Sequence, residues 1–262
     1  MLAATLVVEE VVRRAEETPS KTAIIEGDHR ISYAELVDKI VMFASLLHEM
    51  GGIANDRILL GAKSERGFIY SYLGCHMAGM VAVPIDSQTP KARVAEIEKK
   101  VVSKFSFLNM SEVDSILENA APAKVLSQIS RRSDELADIL FTSGTTGTPK
   151  GVMLSHTNLV AAVNNINSFI GNTEEDIEAL IMPLSHSFGL GRMRCTLSAG
   201  GTLVLINGLQ RPKLLFTALK DEKVTGIGMV PSAWYLLEKL TGRLLAKFAN
   251  QIKYIELGSA PM

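Results

Sequence analysis

Asp138-Ile-Leu-Phe-Thr142, followed by Ser143-Gly-Thr-Thr-Gly-Thr-Pro149 and then Lys150-Gly-Val-Met-Leu-Ser-His156, is the stretch from which the fold can be read. An apolar run enters a loop of small residues and hydroxyls, and an extended run leaves it. Glycines let backbone N–H groups approach an anion and point at it. The hydroxyls of Ser143, Thr145, Thr146 and Thr148 can donate to phosphate oxygens, and Lys150 adds a positive charge between Pro149 and Gly151. Strand, polar loop, strand is therefore an arrangement suited to a polyphosphate.

Outward from this loop the chain alternates short apolar runs with longer helical stretches. The expected strands are Thr22–Ile25, Arg57–Gly61, Val81–Ile85, Phe105–Leu108, Asp138–Thr142, Gly151–Ser155, Ala179–Met182, Thr202–Ile206, Gly226–Val230 and Tyr254–Leu257. Several are almost continuously apolar, as strands covered on both faces are. The expected helices are Tyr33–Met50, Ser64–Gly79, Pro90–Ser103, His156–Ile170, Arg211–Glu222 and Ser232–Leu240. Ser32 with Glu35 has capping-box spacing, and Gly51-Gly52 stops the helix between them. The N-terminal stretch before Pro19 fits a further amphipathic helix. Such alternation implies an α/β fold with largely parallel sheets. The polar segment 118–133 reads as a surface connection, which suggests a first α/β subdomain over 1–135 and a second over 136–262.

Composition excludes several classes. Of 262 residues, 47% are hydrophobic and 21% charged, as in an ordinary globular protein. A net charge of −1 gives no electrostatic case for nucleic acid or an anionic membrane. Glu9 and Glu10 break the N-terminal apolar run, so it is not a signal peptide, and no apolar segment is long enough to span a bilayer. Cys75 and Cys195 sit in apolar surroundings without metal-ligand spacing and read as buried hydrophobes. Sparse cysteine fits the cytoplasm.

The loop is not a Walker A loop, because Gly151 rather than Ser or Thr follows Lys150, and Gly147 stands three positions before it. The segment Thr142-Ser-Gly-Thr-Thr-Gly-Thr-Pro-Lys-Gly-Val-Met-Leu-Ser-His156 instead resembles the signature of the adenylate-forming (AMP-binding) superfamily. Three further segments resemble that family in its own order: Ile31–Leu36, Met77–Asp86 and Pro183-Leu-Ser-His-Ser-Phe-Gly189, the last in its acyl-CoA synthetase form. The terminal Gly258-Ser-Ala-Pro261 resembles the element that packs near adenine and acyl group, with Ser259 replacing a glycine.

The resemblance implies the N-terminal portion of the large domain of an acyl-CoA synthetase-type enzyme. It implies that Thr142, Ser143, Gly144, Thr145, Thr146, Gly147, Thr148 and Lys150 contact ATP, joined by Gly258, Ser259, Ala260 and Pro261. His186 is implied to line the acyl pocket and, with Lys150, to serve catalysis. His29, His48, His76 and His156 read as structural. The implied reaction uses ATP and Mg²⁺ to turn a carboxylic acid into an acyl-adenylate, then passes the acyl group to CoA or a carrier phosphopantetheine. No metal ligand is expected in these residues, since the Mg²⁺-binding glutamate and the adenylation lysine fall after Met262 in the family's order. The chain is thus expected to be an N-terminal fragment unable to complete adenylation. No acidic residue lies between Pro183 and Asn207, and Ser187 follows His186. A buried substrate ammonium would lack a partner there, which favours a fatty, aryl or other non-amino acid. A non-catalytic nucleotide-binding module, an amino-acid-activating module and a luciferase-like enzyme remain open alternatives.

Overall fold

The computed structural model describes residues 6–63, 65–119, 134–142, 150–206 and 208–259. Helix α1 (Val7–Glu17) leads to the hairpin of β1 (Thr22–Glu26) and β2 (His29–Ser32), followed by α2 (Tyr33–Glu49). Next come β3 (Arg57–Ala62), α3 (Arg66–Met77), β4 (Val81–Asp86), α4 (Lys91–Val101), β5 (Phe105–Phe107) and α5 (Met110–Asn119). The chain continues through β6 (Leu136–Thr142), β7 (Lys150–Ser155), α6 (His156–Ile170), β8 (Ile177–Leu180), α7 (Ser187–Ala199) and β9 (Thr202–Leu205). It closes with α8 (Pro212–Asp221), β10 (Gly226–Met229), α9 (Pro231–Thr241), a 3-10 turn over Gly242–Phe248 and β11 (Tyr254–Leu257).

These strands form two sheets, one ordered β11-β10-β8-β9-β1-β2 and the other β5-β3-β4-β6-β7. Every pair is parallel except β1–β2 and β6–β7. Two sheets of parallel strands with interposed helices match the layered α/β class expected. The hairpin β1–β2 joins the sheet built mostly from the second half, and β6–β7 joins the sheet built mostly from the first. A division of the sequence at residue 135 therefore does not coincide with the division between the sheets.

Local chemistry explains most boundaries. The Ser32 hydroxyl accepts from Glu35 N–H, and the Glu35 carboxylate accepts from Ser32 N–H at 2.7 Å, so the capping box starts α2. Ser155 and Asn158 make the same reciprocal pair at α6, so the cap is Ser155 and His156 is the first helical residue. Helix α6 ends at Gly171, whose φ of 72° closes it in the left-handed region.

Three elements escaped the sequence reading. Strand β2 reads His-Arg-Ile-Ser, polar and short, and forms because Glu26↔His29 pairing across the turn at Gly27 dictates it. Helix α5 buries Met110, Val113 and Leu117 at helical spacing between exposed residues. Helix α7 is buried almost throughout, so it has no polar face and no legible 3.6-residue period. Strand β8 also begins earlier than expected, at Ile177, because Glu178 looks like a surface residue in the sequence yet is fully buried.

Candidate functional site

The site is assembled where strands end. In the five-stranded sheet β4 and β6 run parallel, so Asp86 and Thr142 lie at the same edge. In the other sheet β8, β10 and β11 are parallel, so the turn 181–186 and the pair Gly258–Ser259 share one edge. The two edges meet, because the Ser185 hydroxyl donates to Asp86 Oδ2 at 3.4 Å. Ligand sites of α/β sheets form at such carboxyl ends.

The loop ends are fixed in register. Thr142 and Lys150 are Cα partners of the antiparallel pair β6–β7, so the two ends of the segment expected to bind phosphate lie side by side. A Cβ at Gly151 would meet Ile139 Cγ2 at 2.7 Å, so glycine lets the two strands approach there. Lys150 is exposed at the mouth. Ser143, Gly144, Thr145, Thr146, Gly147 and Thr148, and likewise Ala260 and Pro261, lie outside the described residues.

His186 is the N-cap residue of α7, with φ −117° and no side-chain capping bond. Its carbonyl accepts from Leu190 N–H at 3.0 Å, which starts the helix, and its imidazole is exposed. Gly189 one turn later is required by contact, since a Cβ there would stand 2.2 Å from the Pro183 carbonyl oxygen. Phe188 lies against Gly228 and Gly258, where added Cβ atoms would meet its ring at 3.5 Å and 3.4 Å. The N-terminus of α7 is thereby brought against the end of β11. Ser259 holds φ 69°, a conformation that side chains disfavour. Ser259→Gly is expected to raise stability by about 0.5–1 kcal/mol, a thermal midpoint shift of roughly 1–4 °C by calorimetry. An unchanged or lowered midpoint would show that the serine side chain offsets its backbone strain.

Two buried ionic clusters sit beneath these loops, and both involve α7. Arg192 donates to both carboxylate oxygens of Glu178 on β8, at 2.7 and 2.5 Å, and to Tyr254 Oη on β11 at 2.6 Å. Thr196 Oγ1 and Tyr254 Oη also donate to Glu178, and Glu256 lies 3.1 Å from Arg192 Nη1. On the other side Arg194 donates to Asp138 on β6 at 3.0 Å and to Tyr72 Oη at 2.7 Å. Tyr72 and His76 of α3 complete that cluster, at 2.8 and 2.9 Å from the Asp138 oxygens. Burial pushes the Asp138 carboxyl upward, but the hydrogen bond from His76 and the charge of Arg194 outweigh it and hold the group below the usual carboxylate range. Burial raises the thiols instead, Cys195 to about 12 and Cys75 well above its ordinary value, so both are unreactive core residues.

The sequence reading missed these clusters. One signal was present: Leu190-Gly-Arg-Met-Arg-Cys-Thr-Leu197 sets two arginines in an apolar run, and buried arginines demand partners. His76 is buried in the core, in keeping with the structural reading of it.

The family model for the AMP-binding enzyme matches residues 11–262. The chain belongs to the AMP-binding enzyme family. It is 27% identical over 262 residues to surfactin synthase subunit 2 of Bacillus subtilis (strain 168), an alignment covering 94% of this chain and 7% of that protein. The N-terminal subdomain of Klebsiella oxytoca NpsA in complex with 3-hydroxyanthranilyl-AMSN superposes with a TM-score of 0.87 at 19% identity, covering 98% of this chain and 66% of that one. NpsA-ThdA, an artificially fused adenylation-PCP di-domain from the same organism, gives 0.83 at 19% identity, with 92% and 50% covered. The relatives named are a synthase subunit and adenylation domains, rather than the acyl-CoA synthetases that Pro183–Gly189 resembles. Among the described residues of this family member, no helix is long and apolar enough to cross a membrane.

Proposed function

We propose that this chain supplies the ATP- and acyl-binding half of an enzyme that adenylates a non-α-amino carboxylic acid and loads it onto the phosphopantetheine thiol of a carrier protein. The observation that carries the reading is the convergence of the hairpin base at Thr142 and Lys150 with the α7 N-terminus at His186 and the β11 end at Gly258–Ser259. A nucleotide whose β- and γ-phosphates lie in the hairpin would present its α-phosphate toward the His186 turn. There a carboxylate can attack phosphorus, displacing pyrophosphate. Lys150 would counter the phosphate charge, and His186 would orient the carboxylate. Mg²⁺ would supply further charge neutralisation when bound with ATP.

The acid class follows from Ser187, which occupies the first turn of α7. A substrate ammonium placed there would find a hydroxyl rather than a carboxylate. The carrier thiol is favoured by the fused adenylation-PCP arrangement of one structural neighbour, NpsA-ThdA. CoA as acceptor is the second reading, favoured by the Pro183–Gly189 pattern. ATP–pyrophosphate exchange tests the first half, using the polypeptide that carries these residues and a panel of aryl, fatty and amino acids. Exchange driven by an aryl or fatty acid is expected. Exchange driven only by α-amino acids would overturn the acid class, and none with any acid would overturn the activity. Thioester formation on a carrier protein against CoA decides the acceptor.

A further inference from the structure

Strand β6 delivers the chain to the phosphate hairpin, and Asp138 lies four residues before the hairpin base, about 13 Å along the strand. Helix α7 starts at His186, and Arg194 lies two turns down it, about 12 Å away. These two residues meet in a fully buried ion pair. The element leaving the hairpin reaches the same place, because β7 runs into α6 and the ring of His156 stands 5.0 Å from that of His76. His76 holds the second Asp138 oxygen. One buried cluster therefore ties together both arms of the hairpin and the helix that carries the His186 turn. On the opposite side of α7, Arg192 grips Glu178 on the strand leading into that turn.

A buried pair of this kind adds little net stability, since desolvation offsets most of the attraction. What it supplies is a single geometry, as donors on two helices, α3 and α7, must all reach one carboxylate on β6. Among the described residues Arg194 Nε and His76 Nδ1 have no hydrogen-bond partner, a cost that a purely stabilising core would avoid. We infer that Asp138 and Arg194 are positioning residues, which fix the separation between the phosphate hairpin and the His186 turn without touching substrate. The kinetic part of this inference rests on the adenylation reading, and its geometric part does not.

The test replaces the pair by apolar residues of similar size, Asp138→Leu with Arg194→Met, so that no charge is left orphaned. Three quantities are measured: the thermal midpoint, the kinetics of acid-dependent pyrophosphate exchange in the full polypeptide, and a spin-label distance. Nitroxides on Met153→Cys in β7 and Ser187→Cys in α7 report the separation, and the native cysteines are too buried to react. The double variant is expected to melt near the wild-type temperature but to show a broadened distance distribution. Its kcat should fall about 10- to 100-fold, with KM for ATP and for the acid within about threefold of wild type. Recovery of the narrow distance and of kcat together with the melting temperature would mean that the pair is only structural, and would overturn the inference. If the double variant does not regain its melting temperature, Arg194→Lys, which keeps the charge and loses the fork, is read in the same way. A wild-type polypeptide without acid-dependent exchange would defeat the adenylation reading, and the distance distribution would still decide the positioning role.

Discussion

Lys150→Ala is expected to lower acid-dependent pyrophosphate exchange by about 10²- to 10³-fold, the range seen when one preorganised donor to a developing charge is removed. The structure makes this result interpretable. Lys150 is exposed at the hairpin base, so its side chain contributes nothing to the core. Its backbone pairing with Thr142 survives substitution by alanine. The thermal midpoint should therefore stay close to wild type while the rate collapses. His186→Ala should behave similarly with a smaller loss, because its imidazole is exposed and makes no capping bond to α7. Parallel loss of melting temperature and activity in the lysine variant would indicate a structural residue and remove it from the proposed mechanism.

Arg192→Ala is expected to destabilise the fold by about 3–5 kcal/mol, the cost of stranding one partner of a buried pair. Glu178 is fully buried on a central strand, and Thr196 and Tyr254 would remain as its only named donors. The truncation also removes the aliphatic stem packed over Gly228, where an added Cβ would meet Arg192 Cγ at 3.1 Å. In thermal denaturation this loss corresponds to a shift of roughly 10 °C. The paired replacement Glu178→Leu with Arg192→Met should recover most of the midpoint, since no charge is then left without a counterion. A single variant melting within a degree of wild type would mean that Glu178 is protonated or solvated once Arg192 is gone.

Much of this protein was legible in its sequence because local chemistry wrote it there. The capping residue Ser32 starts its helix, and the apolar runs at Ile58–Leu60 and Val81–Ile85 are buried strands. Gly151 after Lys150, with Gly147 three positions before it, distinguished this loop from a Walker A loop, and the run Thr142–His156 pointed to the family that the match over residues 11–262 establishes. Other features had no local cause. Strand β2 exists through pairing with β1, and α7 through being covered on every side, which erases amphipathic period. The partnership of Asp86 with Ser185 spans 99 positions, and that of Asp138 with Arg194 spans 56. A sequence can show that two arginines in an apolar run need carboxylates, but only the packing of both sheets against α7 decides which ones. The sequence alone thus determined the fold class and the family, through propensities and spacings within a few residues. The tertiary structure decided how β6, which leads into the signature loop, is joined to α7, which follows the His186 turn, because buried charges find their partners across the fold and desolvation leaves them no other choice.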